Sequence, residues 1–265
     1  MAGGPGAQSF ASPEQDLAAF TNLYREKFPS IPLERYVNGA LMLSSDAQAQ
    51  FDSIMDFPPF QGEIDNGKLL WERPFKNGKS FSSCFPNGGR NVAGDYPRYD
   101  PTSDRVVTFE MAINRCLQEN GETAYRFDDR STMGRITAYA RTLSDGMLTN
   151  IQINSAGALA KYEQGKNFYF ARRGQYNFAC ASCHMENAGK ILRTETLSPA
   201  IGQTTHWPVF RAGDNLNTLH LRYRRCLEQM RAPPLVPGSE ELNNLEYFHS
   251  YLSQGLPLRA SVYRK

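Results

Sequence analysis

The sequence predicts a mainly α protein with long loops. Three observations carry this: apolar residues recur at helical spacing in capped segments, period-two alternation is scarce, and Gly, Pro, Asn and Asp dominate residues 60–105. The first helix starts at Ser12-Pro13, an N-cap followed by proline at the first helical position. It runs through Leu17, Phe20, Tyr24 and Phe28 to the stop at Pro29. Asp46–Phe57 follows, with Phe51, Ile54 and Met55 on its apolar side and Pro58-Pro59 behind it. Residues 60–105 read mainly as loop. Val106–Leu117, Thr132–Leu143 and Ser155–Phe170 are the next helices, the second of them stopped by Asp145-Gly146. The last is the clearest: Ser239 caps it, Leu242, Leu245, Phe248 and Leu252 form its stripe, and Gly255 ends it.

Composition narrows the function classes. With 40% apolar and 21% charged residues, the 265-residue chain is ordinary globular protein. A formal net charge of +2 argues against a nucleic-acid surface. No segment approaches the ~18 consecutive apolar residues of a membrane span. Met1–Ser9 is Gly-rich and polar, with neither a basic start nor an apolar stretch, so it is no signal peptide.

The five cysteines, Cys84, Cys116, Cys180, Cys183 and Cys226, are odd in number, so disulfides alone do not account for them. Cys180-Ala-Ser-Cys183-His184 has the C-x-x-C-H form of a c-type haem attachment site. Two thiols at this spacing add to the two vinyl groups of one porphyrin, and the following histidine is carried under the iron. A thioredoxin-like dithiol requires a strand-to-helix setting in a β-rich domain, and a zinc ribbon requires a second ligand pair at short spacing. Neither is found in the sequence. Covalent haem places the protein outside the cytoplasmic membrane, in the periplasm, with its leader removed.

Candidates for the opposite axial position are His206, His220, His249, Met185, Met230 and Cys226. Met230 fits a plain electron-transfer cytochrome; Cys226, a thiolate donor, fits sulfur chemistry. A worn internal repeat bears on the choice. A shift of 110 residues lays Cys116 on Cys226, Thr108 on Thr218, Arg115 on Arg225 and Leu117 on Leu227. A shift of 96 lays Cys84 on Cys180 and Gly78 on Gly174, but Asn87 and Gly88 then stand where Cys183 and His184 would be. The first half therefore has no haem site. Cys84 and Cys116 either pair as a disulfide in an oxidising compartment or remain two buried thiols. Arg222 lies one helical turn before Cys226 among five arginines, where a guanidinium lowers a thiol's pKa and offers a fork to an oxyanion.

Several segments together resemble the SoxA subunit of the SoxAX cytochromes, which start thiosulfate oxidation in sulfur bacteria. They are Trp71-Glu-Arg-Pro-Phe-Lys-Asn-Gly-Lys-Ser-Phe81, Cys84-Phe-Pro-Asn-Gly-Gly89, Phe109-Glu-Met-Ala-Ile-Asn-Arg-Cys116, Ala171-Arg-Arg-Gly-Gln-Tyr-Asn-Phe-Ala-Cys-Ala-Ser-Cys-His184, Leu197-Ser-Pro-Ala-Ile-Gly202 and Asn244-Leu-Glu-Tyr-Phe248. The resemblance implies two cytochrome c-like domains. Residues 1–150 form a degenerate haem-free one, and residues 151–265 hold one covalent haem c through Cys180, Cys183 and His184. It further implies Cys226 as distal ligand, typically a persulfide, with Arg222 binding substrate beside it and Cys84 bridged to Cys116. The implied activity is that of an L-cysteine S-thiosulfotransferase, joining thiosulfate to a cysteine of a SoxY-like carrier protein. The implied assembly is a heterodimer with a small SoxX-like c-type cytochrome. The alternatives are a periplasmic electron-transfer cytochrome with Met230 ligation and a haem-bearing docking subunit.

Overall fold

The computed structural model describes residues 12–211 and 213–264; Met1–Ser9, read above for a leader, lie outside the described residues. Helix α1 (Pro13–Lys27) is capped by the Ser12 hydroxyl, which accepts from the Gln15 amide, and has proline in its first turn. Helix α2 (Ser45–Asp56) is capped in the same way by Ser44. Between them, residues 33–43 coil in short 3-10 turns kinked at Gly39.

The expected loop over 60–105 contains a full helix, α3 (Gln61–Glu72). Two glycines and a missing cap hide it in the sequence. Gly67 is there for packing: a Cβ at this position would stand 2.1 Å from the carbonyl oxygen of Arg135 on helix α5 (Arg135–Thr142). The segment expected as one helix from Val106 divides. Arg105–Val107 is a strand, β2, paired antiparallel with β1 (Arg98–Asp100), and Thr108 caps helix α4 (Phe109–Glu119). β-branched Val106 and Val107 account for the strand.

The second half repeats this order. Helix α6 (Ala156–Phe170) is capped by Ser155, and its Gly165 meets the Asn244 carbonyl oxygen at 1.9 Å from an ideal Cβ, as Gly67 meets Arg135. Strands β3 (Ile191–Leu192) and β4 (Glu195–Thr196) make a small ribbon. Strands β5 (Val209–Arg211) and β6 (Asn215–Asn217) form the second hairpin, with Thr218 capping helix α7 (Leu219–Gln229). Helix α8 (Glu240–Tyr251) crosses α6 as α5 crosses α3, and β7 (Val262–Tyr263) adds in parallel to β5.

The halves join through a self-complementary exchange of backbone bonds. Gly146 donates to the Leu258 carbonyl (2.9 Å) and Gly255 to the Thr149 carbonyl (2.9 Å). Thr149 donates to Leu256 (2.8 Å) and Leu258 to Met147 (2.8 Å). Each bond has its counterpart about one repeat away, the arrangement of an isologous dimer within one chain.

Two main cores result. The first contains Trp71, Phe75, Phe81, Phe85, Phe109, Ile113, Met133 and Ile136. The second contains Tyr162, Tyr169, Ala179, Ala181, Trp207, Tyr223, Leu245 and Phe248. Phe20, Tyr24, Tyr36, Val37 and Phe51 pack into the second core, so the N-terminal segment wraps the C-terminal half.

Candidate functional site

Cys180 and Cys183 lie at the head of a short π-type turn, Ser182–Glu186, that also carries His184. The turn is pinned from both sides. The Ser182 hydroxyl accepts from the Ala179 amide at 3.1 Å, and the Asn187 amide donates to the Ser182 carbonyl at 2.7 Å. From α1, Tyr24 donates its hydroxyl proton to the His184 carbonyl and accepts from the Ala200 amide at 2.9 Å. Lys27 donates to the carbonyls of Met185 (2.8 Å) and Glu186 (2.6 Å). The N-terminal helix thus clamps the backbone that presents the histidine.

The His184 ring is oriented through Nδ1, which lies 2.9 Å from the Ser198 carbonyl oxygen and 2.7 Å from the Gln203 side-chain amide. A carbonyl only accepts, so Nδ1 carries the proton and Nε2 keeps a free lone pair. A Gln203 amide facing the ring with its oxygen accepts from Nδ1–H and from the Ser198 hydroxyl together. This is the outer-shell partner that a metal-ligating histidine uses to fix its tautomer. Desolvation, with the Arg222 guanidinium adding to it, pushes the imidazole down to about 4, so it is a neutral base at physiological pH.

Helix α7 brings the other side. Cys226 is within electrostatic reach of both C-x-x-C thiols. Desolvation pushes Cys180 up to about 12, with Cys226 raising it further and Arg173 opposing. Cys183 is raised by desolvation and by Cys226, and lowered by Arg222. Arg222, one turn before Cys226, is within electrostatic reach of Cys183 and His184. Its neighbours Arg224 and Arg225 pair with Glu228 at 3.4 and 3.3 Å. Among the described residues no carboxylate pairs with Arg222.

The other axial candidates are engaged elsewhere. His220 Nδ1 accepts from the Gly238 amide at 2.9 Å, and its Nε2 lies 3.0 Å from the Glu246 carboxylate. His249 Nδ1 is 2.8 Å from the Tyr223 hydroxyl. His206 stacks on Trp207. Met230 packs with Leu227, Ala232, Phe168 and Leu235.

Buried polar atoms test whether a haem suits these residues. Tyr169 Oη, Arg173 Nη1 and His249 Nε2 are buried without a hydrogen-bond partner among the described residues. Cys180 and Cys183 both act on Tyr169, Cys180 acts on Arg173, and His184 acts on His249. Buried unpartnered atoms occur elsewhere in the chain as well, among them Asp16 Oδ1 and Thr149 Oγ1, but these three lie within electrostatic reach of the C-x-x-C-H residues, where a bound group would give them partners. With three free thiols and one imidazole whose Nε2 is left to ligate, the donor set fits haem c: two cysteines at attachment spacing, a histidine nitrogen and a further sulfur on α7.

In the first half, Cys84 and Cys116 are joined as a disulfide with Cα atoms 5.8 Å apart. Tyr24, Ser198 and Gln203 are the site residues that sequence reasoning missed. Ser198 lies in a segment carrying the family resemblance; nothing in the local pattern singles out Tyr24.

This fold and site define a cytochrome c-type protein, whose domain class implies haem c. The family model described as "SoxA/TsdA, cytochrome c domain" matches residues 66–149, the half without C-x-x-C-H. The L-cysteine S-thiosulfotransferase subunit SoxA of Chlorobaculum tepidum is 43% identical over 253 residues, covering 95% of this chain and 88% of that protein. The subunit of the same name from Allochromatium vinosum is 41% identical, covering 98% and 93%. A crystal structure of SoxXA from P. pantotrophus superposes with a TM-score of 0.73 at 28% identity, covering 81% of this chain and 84% of that one. The chain belongs to the SoxA family of L-cysteine S-thiosulfotransferase subunits.

Proposed function

We propose that this chain is a single-haem, periplasmic SoxA subunit that oxidatively joins thiosulfate to a cysteine of a SoxY-like carrier, working as a heterodimer with a SoxX-like cytochrome. Cys180 and Cys183 would attach the haem covalently, and His184 Nε2 and Cys226 would ligate its iron. Residues 1–150 and 151–265 are its two domains, the segment before α3 serving as an arm on the second. When bound, haem c supplies a one-electron acceptor beside the reacting sulfur.

The observation that carries the reading is Arg222. It is the α7 arginine without a carboxylate partner among the described residues, it sits one turn from Cys226, and it is within electrostatic reach of Cys183 and His184. Its guanidinium fork suits the sulfonate oxygens of thiosulfate, which would leave the sulfane sulfur at Cys226. Cys226, as thiolate or persulfide, takes that sulfur, and the carrier thiolate removes the product by thiol–disulfide-type exchange. Overall, thiosulfate and a carrier thiol give a cysteine S-thiosulfonate, two electrons and one proton. Two electrons must leave, so a SoxX-like partner would supply a second redox centre. Met230 packed into its own apolar cluster counts against the electron-transfer alternative.

The test is Cys226→Met in the haem-loaded heterodimer. It is expected to abolish conjugation of thiosulfate to the carrier while the intact mass still includes one haem. Full activity of that variant would refute the assignment.

A further inference from the structure

The first half shows how this fold treats a pair of cysteines when no cofactor is attached to them. Cys84 and Cys116 are bonded, and both positions recur in the second half. Cys84 follows Gly78 by six residues and Cys180 follows Gly174 by six, each glycine having positive φ, 79° and 72°. Cys116 lies eight residues past the N-cap Thr108 of α4, and Cys226 eight past the N-cap Thr218 of α7. The α3–α5 and α6–α8 crossings that frame the two pairs each close over a glycine against a backbone carbonyl. Cys226 also acts directly on Cys180, and acts on it more than Cys183 does.

We infer that in the haem-free chain Cys180 and Cys226 form a disulfide equivalent to Cys84–Cys116, and that this bond competes with haem attachment. The second clause rests on Cys180 being an attachment cysteine; the bond itself does not. With glutathione disulfide as oxidant, one thiolate of the pair attacks it, forming a mixed disulfide and releasing one glutathione thiolate. The other then attacks the protein sulfur of that mixed disulfide and releases the second glutathione. Two protein thiols lose two electrons and two protons, and one glutathione disulfide becomes two thiols. The Cys180 sulfur is then unavailable to a vinyl group. Cys226 is removed from the face where it would meet iron and substrate. An oxidising compartment, which the first-half disulfide exploits, is thus a hazard to the second half until Cys180 is alkylated by haem or Cys226 is capped.

The test uses the full chain made without haem attachment and equilibrated in a glutathione redox buffer. Free thiols are then alkylated and the chain is digested with trypsin without reduction. The fraction carrying the Cys84–Cys116 link, which marks folded chain, is analysed. Expected is peptide 174–190 joined to peptide 226–231, with the alkyl group on Cys183. A Cys180–Cys183 link with alkylated Cys226, or no link in the second half, overturns the proposal. In a second arm the attachment machinery and haem are supplied under the same buffer. Cys226→Ser is expected to load haem at least twofold faster than the parent chain, and equal loading would overturn the competition. If instead the periplasmic protein carries no haem on Cys180 and Cys183 under any condition, it is the functional reading that fails.

Discussion

Replacing Tyr24 by phenylalanine tests the N-terminal clamp on the site. The ring is fully buried and packs on Phe20 and Tyr36, and the substitution keeps that packing. What goes is one oxygen with two duties: a proton donated to the His184 carbonyl and a lone pair offered to the Ala200 amide. Leaving a buried partner unsatisfied costs roughly 1–3 kcal/mol each, so the pair amounts to about 2–4 kcal/mol with partial relaxation. The Tyr36 hydroxyl donates a single 3.2 Å bond to the Tyr24 carbonyl, so Tyr36→Phe, the control, is expected to lose about 1 kcal/mol or less. The measurement is urea unfolding of the haem-loaded protein, followed by tryptophan fluorescence and by the Soret band. The carbonyl involved belongs to His184 itself, so the Soret transition should move at least as far as the fluorescence transition. A loss under about 0.5 kcal/mol at unchanged m-value would refute the clamp.

Glycine-to-alanine changes separate two opposed effects. At Gly62, with open space around its Cβ position, alanine should stabilise by up to about 1 kcal/mol through helix propensity. At Gly165 the Cβ would meet the Asn244 carbonyl at 1.9 Å, so thermal melting should show a loss of about 3 kcal/mol or more. Removing both Cys84 and Cys116 opens a crosslink between residues 32 apart and should cost about 3–4 kcal/mol by the chain-entropy estimate, read from denaturant midpoints. The fourth prediction concerns Glu110, raised above its usual range by desolvation and by the Glu246 carboxylate, with Arg141 and His220 opposing. A raised folded pKa means the native state holds the proton more tightly. That contribution is present below 4.5 and is lost as pH climbs toward the folded value. Glu110→Gln should therefore gain on the parent chain in melting temperature as pH rises from 4 to 8, whereas a pH-independent difference would contradict this.

The chemistry was legible in the sequence because it is local: a five-residue motif and an arginine one turn before a cysteine, set among helices that serines cap. Helix α3 was hidden by its own packing. Gly67 admits the Arg135 carbonyl, and a residue chosen for close approach looks like a loop residue when read along the chain. Val106 and Val107 sat ahead of a strong helix and were absorbed into it, although their β-branched pair fits the hairpin that the structure builds there. The arm formed by α1 and α2 was assigned to the half it precedes. Repeat spacing says nothing about which core a segment outside the repeat joins, and the bond from Tyr24 to His184 spans 160 positions.

The two halves differ in what occupies equivalent positions, and the difference tells how one of them does without a cofactor. In the first, Trp71 stands between Phe81 and Phe85, with ring centroids 5.4 Å away on each side. The 96-residue shift puts Asn177 and Ala181 where those two phenylalanines are, and the helix alignment that lays Gly67 on Gly165, 98 residues on, puts Tyr169, with its unpartnered hydroxyl, in place of Trp71. Aromatic side chains occupy the first core and the disulfide closes it. The second core keeps small residues, free thiols and orphaned polar atoms at the same places, which would be a stability defect in a protein that bound nothing. On the proposed reading the defect is the site. It also bears on the oxidative hazard inferred above, because the positions joined as Cys84–Cys116 recur as Cys180 and Cys226, which are free thiols in this structure.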